Sequence, residues 1–327
     1  MSAPRSTAGN SNTAVSGLRE VVSRYDAFLI DQWGVMHDGK TPYPGAVECI
    51  NHLAEADRKI VLLSNSSRRK DAALYNLQGM GFNTEKILDV VTSGQIAWEG
   101  LKERTKEPFT SLGDKCLIFG NGNDDMEYVS SCGCKVAEAD SADLIIARGS
   151  FVVIGSAGER RYAPTIMEGD GKKDVEESMR RMKDRGAPML VTNPDFLRPG
   201  TNDAMPGLIG EEYAAMGGTV YYVGKPHSSV YEACFKALEV TSASAEPGAA
   251  HGDLKMAAIG DSLPHDILGA LRSGIASVFI TGGVHFEELG VAQGAGERVS
   301  DYLLEATLQK HLGDEGRPTH TVPSFRW

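Results

Sequence analysis

Residues 28–40 read FLIDQWGVMHDGK, and this stretch decides the fold. An apolar run ends on an acid, Asp31, and Gly34 interrupts the chain three residues later, with the bulky Trp33 between them. The question is what an aspartate and a tryptophan do at the end of a strand that is otherwise apolar. The pattern predicts a buried strand that presents a polar group at its end.

Short apolar runs alternate with helical patterns around this stretch. The predicted strands are YDAFLI (25–30), KIVLL (59–63), TVYYV (219–223), KMAAI (255–259) and ASVFI (276–280), and helical patterns cover 44–57, 66–81, 226–240 and 266–274. Strands that alternate with helices form parallel sheets whose two faces are covered. The sequence therefore predicts an α/β protein with a doubly wound, Rossmann-like parallel sheet.

Four of these strands end on a polar residue that can do chemistry. The residues are Asp31, Ser64, Lys225 just after Gly224, and Asp261 just after Gly260. In open α/β sheets, ligands bind beyond the carboxyl ends of the strands. We therefore expect two acids, a hydroxyl and an ammonium group at one rim, although each residue alone could be a cap or turn residue.

The middle of the chain reads as a separate unit. It has its own strands, CLIFG (116–120), ADLIIA (142–147) and APMLVTN (187–193), and an amphipathic helix at 172–185, whereas 156–174 reads as a loop. This predicts a core domain at 21–103 and 215–327 with an inserted α/β cap domain at 104–214. The first 20 residues predict a disordered tail, with organelle transit as the alternative.

Composition limits the partners. Lys plus Arg number 33 and Asp plus Glu 44, which gives a net charge of −11. A field of that sign repels nucleic acid and anionic lipid, so neither is an expected partner. No run approaches the ~18 apolar residues of a membrane span, and we expect a cytoplasmic protein. The 5 cysteines do not match a disulfide or zinc pattern and are expected to be plain thiols.

The strand endings, in this order, resemble the motifs of the haloacid dehalogenase (HAD) superfamily. DQWGVMHDGKTPYPGA is similar to its first motif, VLLSNSSRR to the second, VGKPHSSVY to the third and IGDSLPHDILGA to the fourth. The insert between the second and third motifs carries TNPD (192–195) and resembles that of class IIA, the NagD-like, 4-nitrophenylphosphatase-type branch. The resemblance covers about residues 22–295.

The resemblance implies a phosphatase that uses Mg²⁺ and acts on a small phosphorylated metabolite. Asp31 is implied to be the nucleophile, which forms an aspartyl-phosphate. Mg²⁺ would be bound by Asp31, the backbone carbonyl of Trp33, and Asp261. Asp266 would orient the metal's waters or Lys225, unless it only caps the following helix.

The other motifs imply the groups that bind phosphate and substrate. Lys225 would neutralise charge, and Ser64, with backbone N–H groups at Asn65 and Ser66, would hold a phosphoryl oxygen. In the insert, Asn193 and Asp195 are candidates for substrate contact, although Asn-Pro-Asp is also a turn signal. Class IIA proteins often pair through the cap, which favours a homodimer.

Trp33 departs from the family pattern, because the phosphatases carry a second aspartate there as general acid and base. Indole donates through N–H but cannot shuttle a proton at neutral pH, and general acid–base catalysis is typically worth ~10²–10⁴ in rate. The acid could be His37, Asp38 or His265, or the leaving group could need no proton. The alternatives are a phosphate-ester-binding protein with little turnover, and a carbon–halide hydrolase, which the presence of Asp261 disfavours.

Overall fold

The computed structural model describes residues 12–198, 203–240, 254–294 and 296–327. The strands are β1 (Thr13–Ala14), β2 (Ala27–Ile30), β3 (Lys59–Ser64), β4 (Asp89–Thr92), β5 (Lys115–Gly120), β6 (Lys135–Val136), β7 (Leu144–Ala147), β8 (Val152–Gly155), β9 (Gly158–Arg161), β10 (Met189–Val191), β11 (Val220–Tyr222), β12 (Met256–Gly260), β13 (Ala276–Ile280) and β14 (His320–Val322). The helices are α1 (Ala46–Glu55), α2 (Lys70–Gly79), α3 (Ser93–Glu103), α4 (Asp125–Ser131), α5 (Gly169–Asp184), α6 (Pro206–Ala215), α7 (Ser228–Ala237), α8 (Leu268–Arg272), α9 (Phe286–Leu289) and α10 (Asp301–Leu312). A π-helical turn, Leu263–Ile267, precedes α8.

The first of two units comprises Met1–Leu63, Asn76–Asp89 and Tyr231–Trp327. Its sheet has the strand order β1-β14-β13-β12-β2-β3, with β4 next in that order. β2 lies between β3 and β12 and is parallel to both. All residues of β2 and β12 are buried, as expected for strands of a covered parallel sheet. The predicted α/β fold class, with a parallel sheet, is confirmed.

The chain enters this sheet earlier than the predicted tail allows. Residues 1–11 lie outside the described residues, but Thr13–Ala14 pairs in parallel with β14. The Thr13 N–H donates to the carbonyl of Thr319 at 3.1 Å, and the Val15 N–H donates to that of Thr321 at 2.9 Å. Leu18 is fully buried. Residues 13–20 are therefore part of the domain, because β14 offers a strand edge for pairing that the polar composition of this segment does not reveal.

The second unit comprises Ser64–Tyr75 and Val90–Val230. Its sheet has the order β11-β10-β7-β5-β8-β9, and β6 also pairs with β5. The predicted helix is α5, whose Val175, Met179 and Met182 are buried. The predicted loop at 156–174 contains β9, a strand whose four residues are all exposed. Hydrophobic periodicity cannot detect such a strand, because neither of its faces is apolar.

The bounds of these units differ from the predicted division at 104 and 214. The structure groups α3 with the insert, because Trp98 and Leu101 share one apolar cluster with Leu112 and Cys116. The segment after β3 also belongs there, since the Thr192 hydroxyl donates to that of Ser67 at 3.1 Å. Sequence spacing marks where an insert begins, but it does not show which neighbouring segments pack against it.

The cysteines and the lengths of the helices complete the description of the fold. All 5 cysteines are buried and free of disulfides. Among the helices of the described ranges, none combines the length and the apolar character that crossing a membrane requires.

Candidate active site

Three buried carboxylates meet in the first unit. Asp31 follows β2 and Asp261 follows β12, and these strands are neighbours with Ile30 opposite Ile259. The third acid, Asp266, lies in the π-helical turn. One carboxylate oxygen from each acid lies within 4.8 Å of the other two. The parallel register therefore places two distant parts of the sequence at one point.

Backbone groups fix the positions of these acids. The Val284 N–H donates to Asp261 Oδ2 at 2.7 Å, and the Ser262 N–H donates to Asp266 Oδ2 at 3.0 Å. Gly34 has φ +89°, and a Cβ at this residue would lie 2.0 Å from Asp261 Oδ2. Gly34 therefore does more than turn the chain: it leaves room for the second acid.

This donor set fits a divalent cation. Three buried carboxylates at this separation repel one another, and an ion between them removes the repulsion. Carboxylate oxygens are the ligands that Mg²⁺ and Ca²⁺ prefer. Asp266 lies in the π-helical turn, two residues before α8, and its Oδ2 accepts the Ser262 N–H at the start of that turn.

Trp33 packs within its own loop. A Cβ at Gly39 would lie 3.3 Å from Trp33 Cζ2, so the indole ring lies against this glycine. Isolated bridges join Trp33 to His37 and His37 to Pro42. Residues 33–42 therefore form a folded loop, and the Trp33 indole packs against Gly39 within it.

The three candidates for the missing general acid, Asp38, His37 and His265, have different surroundings. Asp38 is exposed and accepts N–H bonds from Thr41 at 2.7 Å and Lys40 at 2.8 Å. These bonds lower the pKa of Asp38, so it is a poor proton donor near neutral pH. His37 is buried and accepts the Gly39 N–H at Nδ1, so its neutral ring carries the proton on Nε2. His265 Nδ1 lies 3.0 Å from the Ser262 hydroxyl.

The second unit contains the other predicted site residues. Ser64 ends β3 and is buried; its hydroxyl accepts the Ser66 N–H at 3.3 Å. Asn65 contacts both of the later segments. Its Oδ1 accepts the Lys225 N–H at 2.7 Å, and its Nδ2 donates to Asp195 Oδ1 at 2.8 Å. The motif-two, motif-three and TNPD segments therefore meet at one amide.

The TNPD segment forms the turn that its composition indicates. The Asp195 N–H donates to Asn193 Oδ1 at 2.9 Å, which is the local hydrogen bond by which asparagine stabilises a turn. Asn-Pro-Asp therefore forms the turn that its composition indicates, and Asp195 also accepts the hydrogen bond from Asn65 Nδ2.

The predicted placement of the strand before Lys225 is wrong. This strand is β11, which pairs in parallel with β10 in the second sheet, with Tyr221 opposite Leu190. It does not join β2 and β12. All three residues of β11 are only partly buried, which suits an edge strand better than the centre of a covered sheet. The four strand endings therefore do not come from a single sheet.

The sequence reasoning assigned no role to two residues around Asn65 and the second motif. Ser93 follows β4, and its hydroxyl donates to the Ser64 carbonyl at 3.3 Å. Arg148 follows β7, is buried, and donates to the Ser67 carbonyl at 3.2 Å. The rule that polar residues end strands applies to both, because VVTS and LIIAR follow it.

Two family models match the chain over the segments that carry Asp31, Ser64, Lys225 and Asp261. The haloacid dehalogenase-like hydrolase model covers residues 28–135, and the HAD-hydrolase-like model covers residues 222–306. This chain belongs to the haloacid dehalogenase-like hydrolases. The resemblance deduced from the four motifs is thereby confirmed.

Relatives of this HAD-like hydrolase match it over most of its length. Chronophin of Bos taurus is 26% identical over 310 residues, which cover 91% of this chain and 97% of the relative. Two solved structures share the fold. The 4-nitrophenylphosphatase of Thermotoga maritima has a TM-score of 0.63 at 18% identity, covering 93% of this chain and 95% of its own. Glycerol phosphate phosphatase of Mycobacterium tuberculosis in complex with magnesium has a TM-score of 0.56 at 22% identity, covering 80% and 69%.

Proposed function

We propose that this HAD-like hydrolase is a Mg²⁺-dependent phosphatase of a small phosphomonoester. The observation that carries the proposal is the group of three buried carboxylates, Asp31, Asp261 and Asp266, within 4.8 Å of one another. The names of two structural neighbours, which are phosphatases, support the reaction class. The magnesium held by one of them supports the choice of cation.

Asp31 is the proposed nucleophile. Its carboxylate attacks phosphorus, forming a P–O bond to the aspartate while the P–O bond to the leaving group breaks. Water then attacks phosphorus, which releases phosphate and regenerates the carboxylate. When bound by Asp31, Asp261 and the Trp33 carbonyl, Mg²⁺ would offset the negative charge of nucleophile and phosphate. Asp266 would orient the waters on that ion.

The phosphoryl oxygens need donors as well. We assign this role to the Lys225 ammonium, the Ser64 hydroxyl and the backbone N–H groups of Asn65 and Ser66. The turn at 193–195 would contact the leaving group, so Asn193 and Asp195 belong to the proposed substrate site.

A phosphate-ester-binding protein with little turnover is the second candidate. Trp33 favours it, because indole cannot protonate the leaving oxygen, and the low pKa of Asp38 already keeps that carboxyl in its charged form. Substrates with good leaving groups, such as acyl or aryl phosphates, are the ones that a phosphatase without this acid would hydrolyse.

The metal site is tested by thermal unfolding with and without Mg²⁺. Mg²⁺ at 100 times its dissociation constant should stabilise the folded protein by about 2.7 kcal/mol. Asp261→Asn should remove this response and should stabilise the metal-free protein, because two repelling charges remain instead of three. Asp314→Asn, a change at an exposed acid, is the control. A Mg²⁺ response that survives Asp261→Asn would contradict the site.

The reaction is tested by phosphate release from a panel of phosphomonoesters with Mg²⁺. Asp31→Asn should lower kcat by ~10³-fold or more, since the nucleophile is lost. Trp33→Asp should raise kcat by ~10²–10⁴-fold on esters with poor leaving groups. Trp33→Asn introduces a side chain of the same size as aspartate but without an acidic group, so it should give no such gain in kcat.

The outcomes separate the candidates. Activity in the wild type that Asp31→Asn abolishes supports the phosphatase. An inactive wild type that gains activity on Trp33→Asp indicates the binding protein. Halide release without metal would indicate a hydrolase acting at carbon.

A further inference from the structure

Both ends of the Asn65 side-chain amide are hydrogen-bonded within the protein. An asparagine amide offers one oxygen that accepts and one NH₂ that donates twice. Here Oδ1 accepts from the Lys225 N–H at 2.7 Å and lies 3.4 Å from the Ser93 hydroxyl, whose one proton it shares with the Ser64 carbonyl. Nδ2 donates to Asp195 Oδ1 at 2.8 Å and, at a longer 3.5 Å, to the Lys225 carbonyl. The residue is buried, with 4% of its surface exposed.

The backbone at Lys225 is closely surrounded. Gly224 has φ +138°, and a Cβ there would lie 2.6 Å from the Ser93 hydroxyl and 2.7 Å from Asn65 Oδ1. Only glycine fits so close an approach. Asn65 Oδ1 also accepts the N–H of the next residue, Lys225. The backbone that carries the lysine side chain is therefore held by the close packing at Gly224 and by this hydrogen bond.

The other end of the same amide fixes the TNPD turn. Asp195 accepts from Asn65 through its side chain, donates its own N–H to Asn193, and accepts the Gly207 N–H at its carbonyl at 3.0 Å. Asp195 therefore connects motif two to the start of α6, through its carboxylate on one side and its backbone carbonyl on the other. A contact between an amide donor and a carboxylate is stronger than one between neutral groups.

We infer that the Asn65 side chain is a positioning residue: it sets the backbone of Lys225 and holds the Asp195 turn, while only its backbone is available to phosphate. The inference rests on the proposed function, because it treats Lys225 as the group that neutralises the phosphoryl charge. It assigns Asp195 the role of anchor for that arrangement.

The test exchanges the two partners. Asn65→Asp keeps an oxygen for the Lys225 N–H but sets a carboxylate against the carboxylate of Asp195. Adding Asp195→Asn restores one amide and one carboxylate in reversed order. We expect Asn65→Asp to lower kcat/KM by about 10- to 100-fold, mostly through kcat, because a misplaced catalytic group costs this much. The double variant should recover most of the loss in kcat, whereas a change in KM would report the substrate contact proposed for Asp195.

Two controls separate positioning from folding. Asn83→Asp makes the same chemical change at an exposed residue whose side chain makes no capping bond, and it should leave kcat/KM unchanged. The thermal response to Mg²⁺ should persist in Asn65→Asp, because Asp31, Asp261 and Asp266 lie in the first unit and Asn65 lies in the second. Full activity in Asn65→Asp, or no recovery in the double variant, would overturn the inference.

A second readout keeps the test independent of turnover. If the wild type releases no phosphate, the proposed function fails, and binding of inorganic phosphate with Mg²⁺, measured by calorimetry, replaces kcat/KM. The same pattern of loss and recovery supports the positioning role. Equal phosphate affinity in all variants, or no affinity in the wild type, overturns it.

Discussion

Gly34 shows how a single hydrogen can be required at a charged site. Its φ of +89° is strained for any residue with a side chain, and its missing Cβ is the space that Asp261 Oδ2 occupies. Gly81 has the same φ of +89°, but a Cβ at that residue would meet no atom within 4 Å. The two glycines therefore separate the cost of backbone strain from the cost of a steric collision.

We predict that Gly34→Ala weakens the Mg²⁺ response by displacing the Asp261 carboxylate. Both Gly34→Ala and Gly81→Ala should lose roughly 1–2 kcal/mol of stability from the backbone conformation. Only Gly34→Ala should also weaken Mg²⁺ binding, measured by titrating the unfolding temperature with Mg²⁺. An unchanged Mg²⁺ affinity in Gly34→Ala would show that Asp261 can move away without loss.

At this scale the sequence predicts residue types better than their contacts. Asp31 and Asp261 could be found because each follows an apolar run, and neighbouring parallel strands bring such endings together. The bond between the Asn65 amide and Asp195 could not be found, because the two residues are 130 positions apart and no periodicity relates them.

Arg148 joins several elements of the second unit. Its Nη1 lies 2.5 Å from Asp125 Oδ1 and its guanidinium carbon lies 3.8 Å from the centre of the Tyr128 ring. Both of these partners lie in α4. With the bond to the Ser67 carbonyl, the side chain connects β7, α4 and the segment after β3.

Arg148→Met should destabilise the protein by about 3–5 kcal/mol, because it leaves the Asp125 carboxylate buried without its cation. Equilibrium unfolding in urea measures the loss. Lys135→Met removes an exposed pair, 3.8 Å from Asp114, and should cost no more than about 1 kcal/mol. Equal losses for the two variants would argue against a structural role for the buried pair.

Elements were predictable where burial is complete on both faces. β2, β3 and β12 appear in the sequence as short apolar runs and are found in the predicted places. β9 is exposed on both faces and β11 is a half-buried edge strand, so the first was missed and the second was placed in the wrong sheet. Hydropathy reports how deeply a strand is buried, not which sheet it joins.

The pH dependence of stability is set partly by a buried histidine. His285 accepts the Leu263 N–H at Nε2 and is 8% exposed. Burial lowers its pKa from 6.5 to about 4, and the nearby His311, Lys310 and His265 act in the same direction, while Glu288 opposes them. Its charged form is therefore disfavoured in the folded protein.

We predict that stability falls as the pH drops from about 6.5 to about 4, since the unfolded chain then binds a proton that folded His285 refuses. The largest loss from this one group is about 3 kcal/mol. Urea unfolding at pH 7 and pH 5 should show a smaller difference for His285→Gln than for the wild type. His52→Gln, at a partly exposed residue beside Glu55, should keep the wild-type difference, and an unchanged difference in His285→Gln would refute the role.

For the chain as a whole, alternation of strands and helices was sufficient to predict the α/β class and the presence of an inserted unit. The bounds of the units were not predictable in this way. They depend on side chains such as Trp98, which packs into the apolar cluster of the insert, and packing partners are not written in the order of the elements.

The pairing of β2 with β12 has a consequence for how the protein is made. During translation β2 and its neighbour β3 are synthesised early. The strand on the other side of β2 is β12, Met256–Gly260, which is synthesised much later. Until that strand has been synthesised, one edge of β2 exposes unpaired backbone groups, which invites aggregation. The group of Asp31, Asp261 and Asp266 is likewise incomplete until both later acids have been synthesised, so a nascent chain cannot form the proposed metal site before translation has passed the π-helical turn.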